Sequence, residues 1–328
     1  MSNSSELHRL SGKALNDFNF FDGKLIIVGA GGWLGSATLD LLNKEISNLS
    51  KCVYCFGSKN KDIILMDGSL VKQKPLSEIE NLPVGENYKM INFSFLTKDK
   101  LSKKNFNNYI DINRSIGRTL INEARRLKVK NVATISSGAV YGENQTLVSD
   151  LQSDTYGVLK LEEESLFTEL VKDKMCVVIP RLFNVSGPYI KNFNSYMLSS
   201  MIWQAISSHE IRINSSHKVI RSFIAISELI SLILGIFSQE YEGRLFLFDT
   251  AGDQELEIED LALEVKNTLS SSSIIVRPKL DDNLHQDRYI GSRSKYKHLL
   301  SEFNITNLSI SNQILCTYEY MKTFKEGK

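Results

Sequence analysis

The feature that most constrains this chain is a run of glycines placed directly after a short apolar segment. Leu25-Ile26-Ile27-Val28 leads straight into Gly29-Ala30-Gly31-Gly32-Trp33-Leu34-Gly35. An apolar run of that length, bounded by a turn, reads as a strand buried on both faces. A helix over 33–46 should come after the turn. Strand, glycine turn and helix is the order in which a doubly wound α/β fold presents a helix N-terminus to a dinucleotide pyrophosphate. Gly29, Gly32 and Gly35 fit GxxGxxG; the commoner GxGxxG would need glycine where Leu34 stands. Glycine allows the backbone to turn tightly and to approach the phosphates. The turn therefore nominates Gly29, Gly32, Trp33, Leu34 and Gly35 as cofactor-binding positions. A glycine turn alone also serves plain folding purposes, so its meaning depends on the segments downstream.

Those segments alternate. Strands are expected near 24–28, 51–56, 62–66, 88–94, 130–136 and 174–179, with helices near 33–46, 104–127 and 156–171. This alternation implies a doubly wound parallel sheet with right-handed crossovers. Beyond Pro180 the pattern loosens into helices near 193–208, 226–238, 257–269 and 308–325, with short strands near 211–213, 244–248 and 273–277. The expected organisation is an N-terminal arm over 1–22 and a dinucleotide-binding domain over 23–180. A smaller, mixed substrate lobe over 181–328 is interleaved with the last elements of the sheet.

The 328 residues carry a net charge of only +1, which argues against a nucleic-acid binder held by counterion release. The clearest basic cluster, Arg125 to Lys130, falls at a predicted helix end, where cations favour the helix dipole. Cys52 and Cys55 have CxxC spacing but lie in an apolar run. Residues three apart on a strand face opposite ways, so no shared metal is expected. Residues 1–10 lack the apolar core of a signal peptide, and the longest apolar run, 229–237, is too short to span a bilayer. A cytoplasmic protein with no membrane or nucleic-acid partner is the expectation.

The fifth strand runs into Ser136-Ser137-Gly138-Ala139-Val140-Tyr141-Gly142, and the next helix opens Tyr156-Gly157-Val158-Leu159-Lys160. Helical residues four apart share a face, so Tyr156 and Lys160 point into one site. A free phenol titrates near ~10, and a nearby ammonium favours the phenolate. With the Ser137 hydroxyl on the same substrate oxygen, the three can move a proton to or from a carbinol while a nicotinamide moves the hydride. A second YxxxK, Tyr318 and Lys322, has no serine-bearing strand before it and reads as packing.

These motifs resemble the extended short-chain dehydrogenase/reductases of the NAD-dependent epimerase/dehydratase family, which act on nucleotide sugars. The likeness rests on GAGGWLG at 29–35, SSGAVYG at 136–142, YGVLK at 156–160 and RLFNVSGP at 181–188, and more weakly on Asn113 and Arg221. It implies that Ser137, Tyr156 and Lys160 are catalytic, that Lys160 holds the nicotinamide ribose, and that Asn113 belongs to the cofactor site. It further implies that Asn184 faces the sugar nucleotide and Arg221 binds its diphosphate. A homodimer, with helices 104–127 and 156–171 forming a four-helix bundle with their mates, is implied as well.

Three departures narrow the reading. Members that eliminate water carry Asp-Glu after the serine; Gly138 and Ala139 stand there, which disfavours a dehydratase. NAD-specific members end the second strand with an acid, whereas this chain reads Phe56-Gly57-Ser58-Lys59-Asn60-Lys61. Ser58 and Lys59 suit the extra phosphate of NADP instead. The fourth strand ends in bulky Phe93 and Phe95, where small residues are usual. The expectation is an NADP-dependent ketosugar reductase making a surface-polysaccharide precursor. Alternatives are a nucleotide-sugar epimerase with tightly held cofactor and a non-catalytic dinucleotide-binding protein.

Overall fold

Alternate residues of the first strand, β1 (Lys24–Val28), feed two different cores. Leu25 and Ile27 join one buried cluster, and Ile26 and Val28 join another. This is the mark of a strand covered by helices on both faces. The computed structural model describes residues 7–18, 23–142, 145–281 and 283–326.

After β1 come β2 (Val53–Gly57), β3 (Lys61–Ile64), β4 (Leu70–Pro75), β5 (Tyr88–Asn92), β6 (Asn131–Thr134), β7 (Ser136–Ser137) and β8 (Cys176–Leu182). The C-terminal half adds β9 (Val185–Ser186), β10 (Glu210–Arg212), β11 (Val219–Arg221), β12 (Ile224–Ala225) and β13 (Leu245–Asp249). It closes with β14 (Leu256–Glu257), β15 (Ile274–Val276) and β16 (Asp287–Tyr289). The helices are α1 (Lys13–Asn16), α2 (Trp33–Glu45), α3 (Leu49–Cys52), α4 (Phe106–Leu127) and α5 (Thr155–Thr168). They continue with α6 (Met197–Ser207), α7 (Ile226–Phe237), α8 (Ile258–Thr268), α9 (Arg293–Glu302) and α10 (Ile310–Glu326).

The main sheet has nine strands in the order β13-β8-β6-β5-β1-β2-β4-β3, with β7 also beside β8. All of its pairings are parallel except β3 with β4. That edge differs from the all-parallel expectation. The unanticipated β4 is lysine-bearing and largely exposed, so it lacks the apolar run that announces a buried strand. α2 and α7 cover one face of the sheet, while α4 and α5 cover the other. A third core joins α6, α8 and α10 in the C-terminal half.

Val28 sits beside both Phe56 and Asn92, and Asn92 beside Thr134, so the carboxyl ends of the central strands are flush. The chain reverses strand order here, β1 being flanked by β2 on one side and β5 on the other. Such a switch point opens a crevice. Two expected strands end early at this edge. The fourth stops at Asn92, because Asn92 Oδ1 accepts from the Ser94 amide and hydroxyl and turns the chain away. The fifth breaks after Thr134 and resumes as β7, paired to β8. α9 was not anticipated either. The run at Cys52 begins as helix, not strand, and all four cysteines are buried and free. No helix among the described residues is long and apolar enough to cross a membrane.

Candidate active site

The glycine turn builds the first wall. Gly29 has φ +81°, and a Cβ there would come within 2.8 Å of the Phe93 and Ser94 backbone. Only glycine fits between β1 and the chain leaving β5. The Gly32 amide returns to the Gly29 carbonyl, and α2 starts with no side chain capping it. Its first-turn amides, those of Trp33, Leu34 and Gly35, have no partner within the helix and carry the positive end of the dipole. This cradle suits a pyrophosphate.

A cavity of about 370 Å³ opens from the turn across the sheet edge. Gly32, Trp33, Leu34, Ser137, Tyr156, Lys160 and Asn184 all line it, so most of the motif residues are brought together. Much of the remaining wall is apolar or aromatic: Phe93 and Phe95 after β5, Phe183 after β8, and Tyr196 and Met197 at the start of α6. Trp33 meets Tyr196 edge-on at 4.8 Å across the mouth, and its indole N–H donates to the Pro188 carbonyl.

Ser137 Oγ accepts the Ala139 amide at 3.1 Å. It also bonds the hydroxyl of Tyr289, a residue the motif reading missed. Burial raises the Tyr289 phenol, as does the neighbouring Tyr156, while the bond to Ser137 and the Arg221 charge oppose the shift. Gly138 lies directly against Phe183, where a Cβ would come within 2.6 Å of the ring. The place where a dehydratase carries its acid therefore has no room for one.

Lys160 is only 5% exposed and its ammonium is fully engaged by the protein. It donates to the Ile135 carbonyl and to Glu163 Oε2, both at 2.8 Å, and lies 3.8 Å from the centre of the Phe95 ring. Phe95 in turn meets Tyr156 edge-on at 5.6 Å. The expected ribose contact of Lys160 thus competes with three protein partners. Glu163, buried and also bonded by Asn92, has its carboxyl raised by burial against the pull of Lys160. It is the middle of three consecutive glutamates with separate tasks. Glu162 pairs with Arg114 on the outer surface, Glu163 with Lys160, and Glu164 with Arg181. The Arg181 fork on Glu164 also reaches Tyr141, whose hydroxyl donates to Asp249, and Ser136 bonds Glu164 from above. This network fixes β7 and β8 beneath Ser137.

Six nominated residues stand apart from the cavity lining: Gly29 and Gly35, which shape the turn itself, and Asn113, Arg221, Ser58 and Lys59. Asn113 accepts the Leu96 amide and donates to the Tyr109 carbonyl, tying the Phe93–Thr97 segment to α4. Arg221 forms a two-pronged pair with Asp287 and lies 5.8 Å from the Tyr289 ring centre. Ser58 and Lys59 are exposed beyond β2; the Lys59 carbonyl accepts Gln73 Nε2, and it is Gln73 Oε1 that takes the Gly31 amide, at 2.7 Å. Asn184 lines the cavity with its amide donating to the Ser222 and Tyr289 carbonyls. The second YxxxK pair borders a different cavity, with His209 and Ser270.

The chain belongs to the NAD dependent epimerase/dehydratase family, whose model matches residues 25–246. No curated protein sequence matches it. Among solved structures it is similar to a UDP-N-acetylglucosamine 4-epimerase from Methanobrevibacter ruminantium in complex with UDP-N-acetylmuramic acid. That match has 17% identity and a TM-score of 0.71, and covers 92% of this chain and 99% of the other. A UDP-glucose 4-epimerase from Stenotrophomonas maltophila, with bound NAD and formylated UDP-arabinopyranose, matches at 14% identity and TM-score 0.70, covering 93% and 100%. A UDP-glucuronic acid 4-epimerase from Bacillus cereus, in complex with NAD, matches at 17% identity and TM-score 0.67, covering 93% and 98%. At these identities the likeness is one of fold.

Proposed function

We propose that the protein is a nucleotide-sugar oxidoreductase that reduces a ketosugar with NADPH, within the cytoplasm, to make a surface-polysaccharide precursor. The observation that carries this reading is the convergence of Ser137, Tyr156 and Lys160 on one cavity beside the open N-terminus of α2. The nicotinamide, when bound, supplies the hydride. Tyr156 donates the proton to the oxygen that becomes the carbinol, Ser137 polarises the carbonyl, and Lys160, on the same helix face as Tyr156, holds the nicotinamide ribose. Residues 23–180 serve as the dinucleotide domain and most of 181–328 as the substrate lobe, with Asn184 and Arg221 toward the sugar nucleotide. The absence of any carboxylate at the end of β2, with Ser58 and Lys59 there, supports NADP.

The second reading is an epimerase, favoured by the 4-epimerases of like fold. An epimerase must let its ketosugar turn over before the hydride returns. Phe93 and Phe95 narrow the space beside Tyr156, which suits a single pose. Thermal-shift titration with NADPH and NADH, then with UDP-, GDP-, dTDP- and CDP-sugars, tests the scheme through linkage. Stoichiometric NADPH consumption supports the reductase; co-purified cofactor that does not exchange supports the epimerase. No stabilisation by any nucleotide, with no cofactor released on denaturation, counts against both and supports the non-catalytic reading. Homodimerisation through α4 and α5 is part of the proposal, and a monomer in light scattering at micromolar concentration contradicts it.

A further inference from the structure

Two lysines 130 positions apart in the chain meet over the glycine turn. Lys61 of β3 donates to the Gly31 carbonyl at 3.1 Å, and Lys191, from the segment between β9 and α6, donates to the same oxygen. Neither has a carboxylate partner among the described residues. Two ammonium groups on one carbonyl repel each other, and nothing in the fold demands both there. Beneath them Gln73 fills the place just past β2: its amide lies on Gly57, where a Cβ would come within 2.4 Å. It binds the Gly31 amide and the Lys59 carbonyl. A neutral amide thus occupies the position from which a carboxylate would receive a ribose diol. The side of the turn facing β2 holds two uncompensated cations and no acid.

We propose that Lys61 and Lys191 clasp the 2′-phosphate of NADP between the sheet and the C-terminal lobe, so that this phosphate fixes the lobe segment bordering the substrate cavity. The inference rests on the dinucleotide reading of the turn and moves the phosphate contact from Ser58 and Lys59 to a pair the sequence keeps far apart. A dianion suits the geometry, since each ammonium exchanges a shared carbonyl for a charged oxygen. The coupling arises from where Lys191 sits. The same segment carries the Pro188 carbonyl that receives the Trp33 indole and leads into Tyr196, which packs edge-on against Trp33. NADP, but not NAD, adds a phosphate link that locks this wall where it already rests against the turn. Lys191 has its ammonium pushed down to about 8 by burial and by the Lys61 charge, the charged group that faces it. A bound dianion relieves that repulsion.

The test measures dissociation constants by calorimetry on the full chain, without sugar and without turnover, using NADP, NAD, 2′,5′-ADP and 5′-ADP. The 2′-phosphorylated member of each pair should bind about 10- to 100-fold more tightly, the effect of one or two charge-assisted bonds. Lys61→Ala and Lys191→Ala should each remove most of that ratio and leave NAD affinity unchanged. Lys191→Arg should keep it, and so should Lys59→Ala. Both lysine side chains are exposed, so the variants should fold, with thermal melts as the check. In a Trp203→Phe background, Trp33 emission should respond to NADP and lose that response in Lys191→Ala. NAD binding as tightly as NADP, or both weakening together in the lysine variants, overturns the clasp and leaves the dinucleotide reading standing. A chain that binds none of the four nucleotides overturns both.

Discussion

The buried pair between Lys160 and Glu163 allows a prediction that bears on stability and on the site together. Glu163→Gln keeps the side-chain shape and the acceptor for Asn92, but turns an amide donor toward the Lys160 ammonium, 2.8 Å away. Both side chains are about 6% exposed, so water does not replace the lost partner. Removing one member of such a pair costs about 3–5 kcal/mol. The Ile135 carbonyl and the Phe95 ring still hold Lys160, which places the expectation at the lower end, about 3 kcal/mol. Unfolding entropy of about 2.1 cal/mol/K per residue over 328 residues gives about 0.7 kcal/mol/K, so Tm should fall by about 4 °C. Adding Lys160→Met removes the stranded charge and should recover about 2 kcal/mol relative to additivity. The assay is a double-mutant cycle in urea, monitored by circular dichroism. A Glu163→Gln protein within about 0.5 kcal/mol of wild type, or strictly additive variants, would refute the claim that Glu163 is what neutralises Lys160.

Tyr156→Phe should lower kcat by about 10²- to 10⁴-fold while cofactor affinity stays unchanged; a smaller loss removes Tyr156 as proton donor. Asp287→Asn releases Arg221 from its two-pronged partner and should lower KM for the nucleotide sugar about fivefold, worth about 1 kcal/mol, with kcat unaltered; a raised KM would show that Asp287 aims Arg221 at substrate. Two buried groups tilt stability in opposite directions with pH. His8 is pushed down from 6.5 to about 4 by burial and Lys44, against Asp40, so its contribution is present above 6.5 and is lost as pH falls toward 4. Glu228 is raised from 4.5 to about 7 by burial, against the Ala225 and Leu308 amides it accepts, so its contribution is present below 4.5 and is lost as pH rises through 7. Each amounts to about 3 kcal/mol. The wild-type profile should be nearly flat from 4.5 to 6.5, Glu228→Gln should expose a rising slope and His8→Gln a falling one. Flat profiles in both variants would sink this account.

The parts of the fold that could be read from the sequence are those set by local spacing. The glycine turn, the serine-bearing strand end and the Tyr156–Lys160 helix each lie within a few residues, and the flush strand ends bring them to one crevice. What escaped reading is set by distance along the chain. Lys61 meets Lys191, Arg221 meets Asp287, and Ser137 meets Tyr289; no periodicity encodes such meetings. β4 escaped because a strand next to the sheet edge with most of its side chains in solvent needs no apolar pattern. Ser58 and Lys59 are where the strand ends, but Gln73, from the neighbouring strand, reaches the turn first. The bonds of Asn113 to the Leu96 amide and the Tyr109 carbonyl are likewise set by tertiary structure that the sequence does not reveal. The three glutamates at 162–164 look like one solvated charge run. Only helical geometry shows that successive residues, about 100° apart, address three different cations.

The placement of α7 and β13 has a consequence for synthesis. α7 is buried along its whole length and covers the β1 side of the sheet beside α2, and β13 closes the sheet edge next to β8. Both are made long after β1. At about 5–20 residues per second, the roughly 200 residues between them take on the order of 10–40 s to emerge. Through that interval the nascent sheet carries an open apolar face covered only by α2, because α1 packs on α7 and waits for it too. Chains halted near residue 180 should therefore gather on chaperones, and an isolated glycine-turn domain should come out insoluble although it holds Ser137, Tyr156 and Lys160. The order of translation makes the lobe and the nucleotide fold a single unit before any ligand is met.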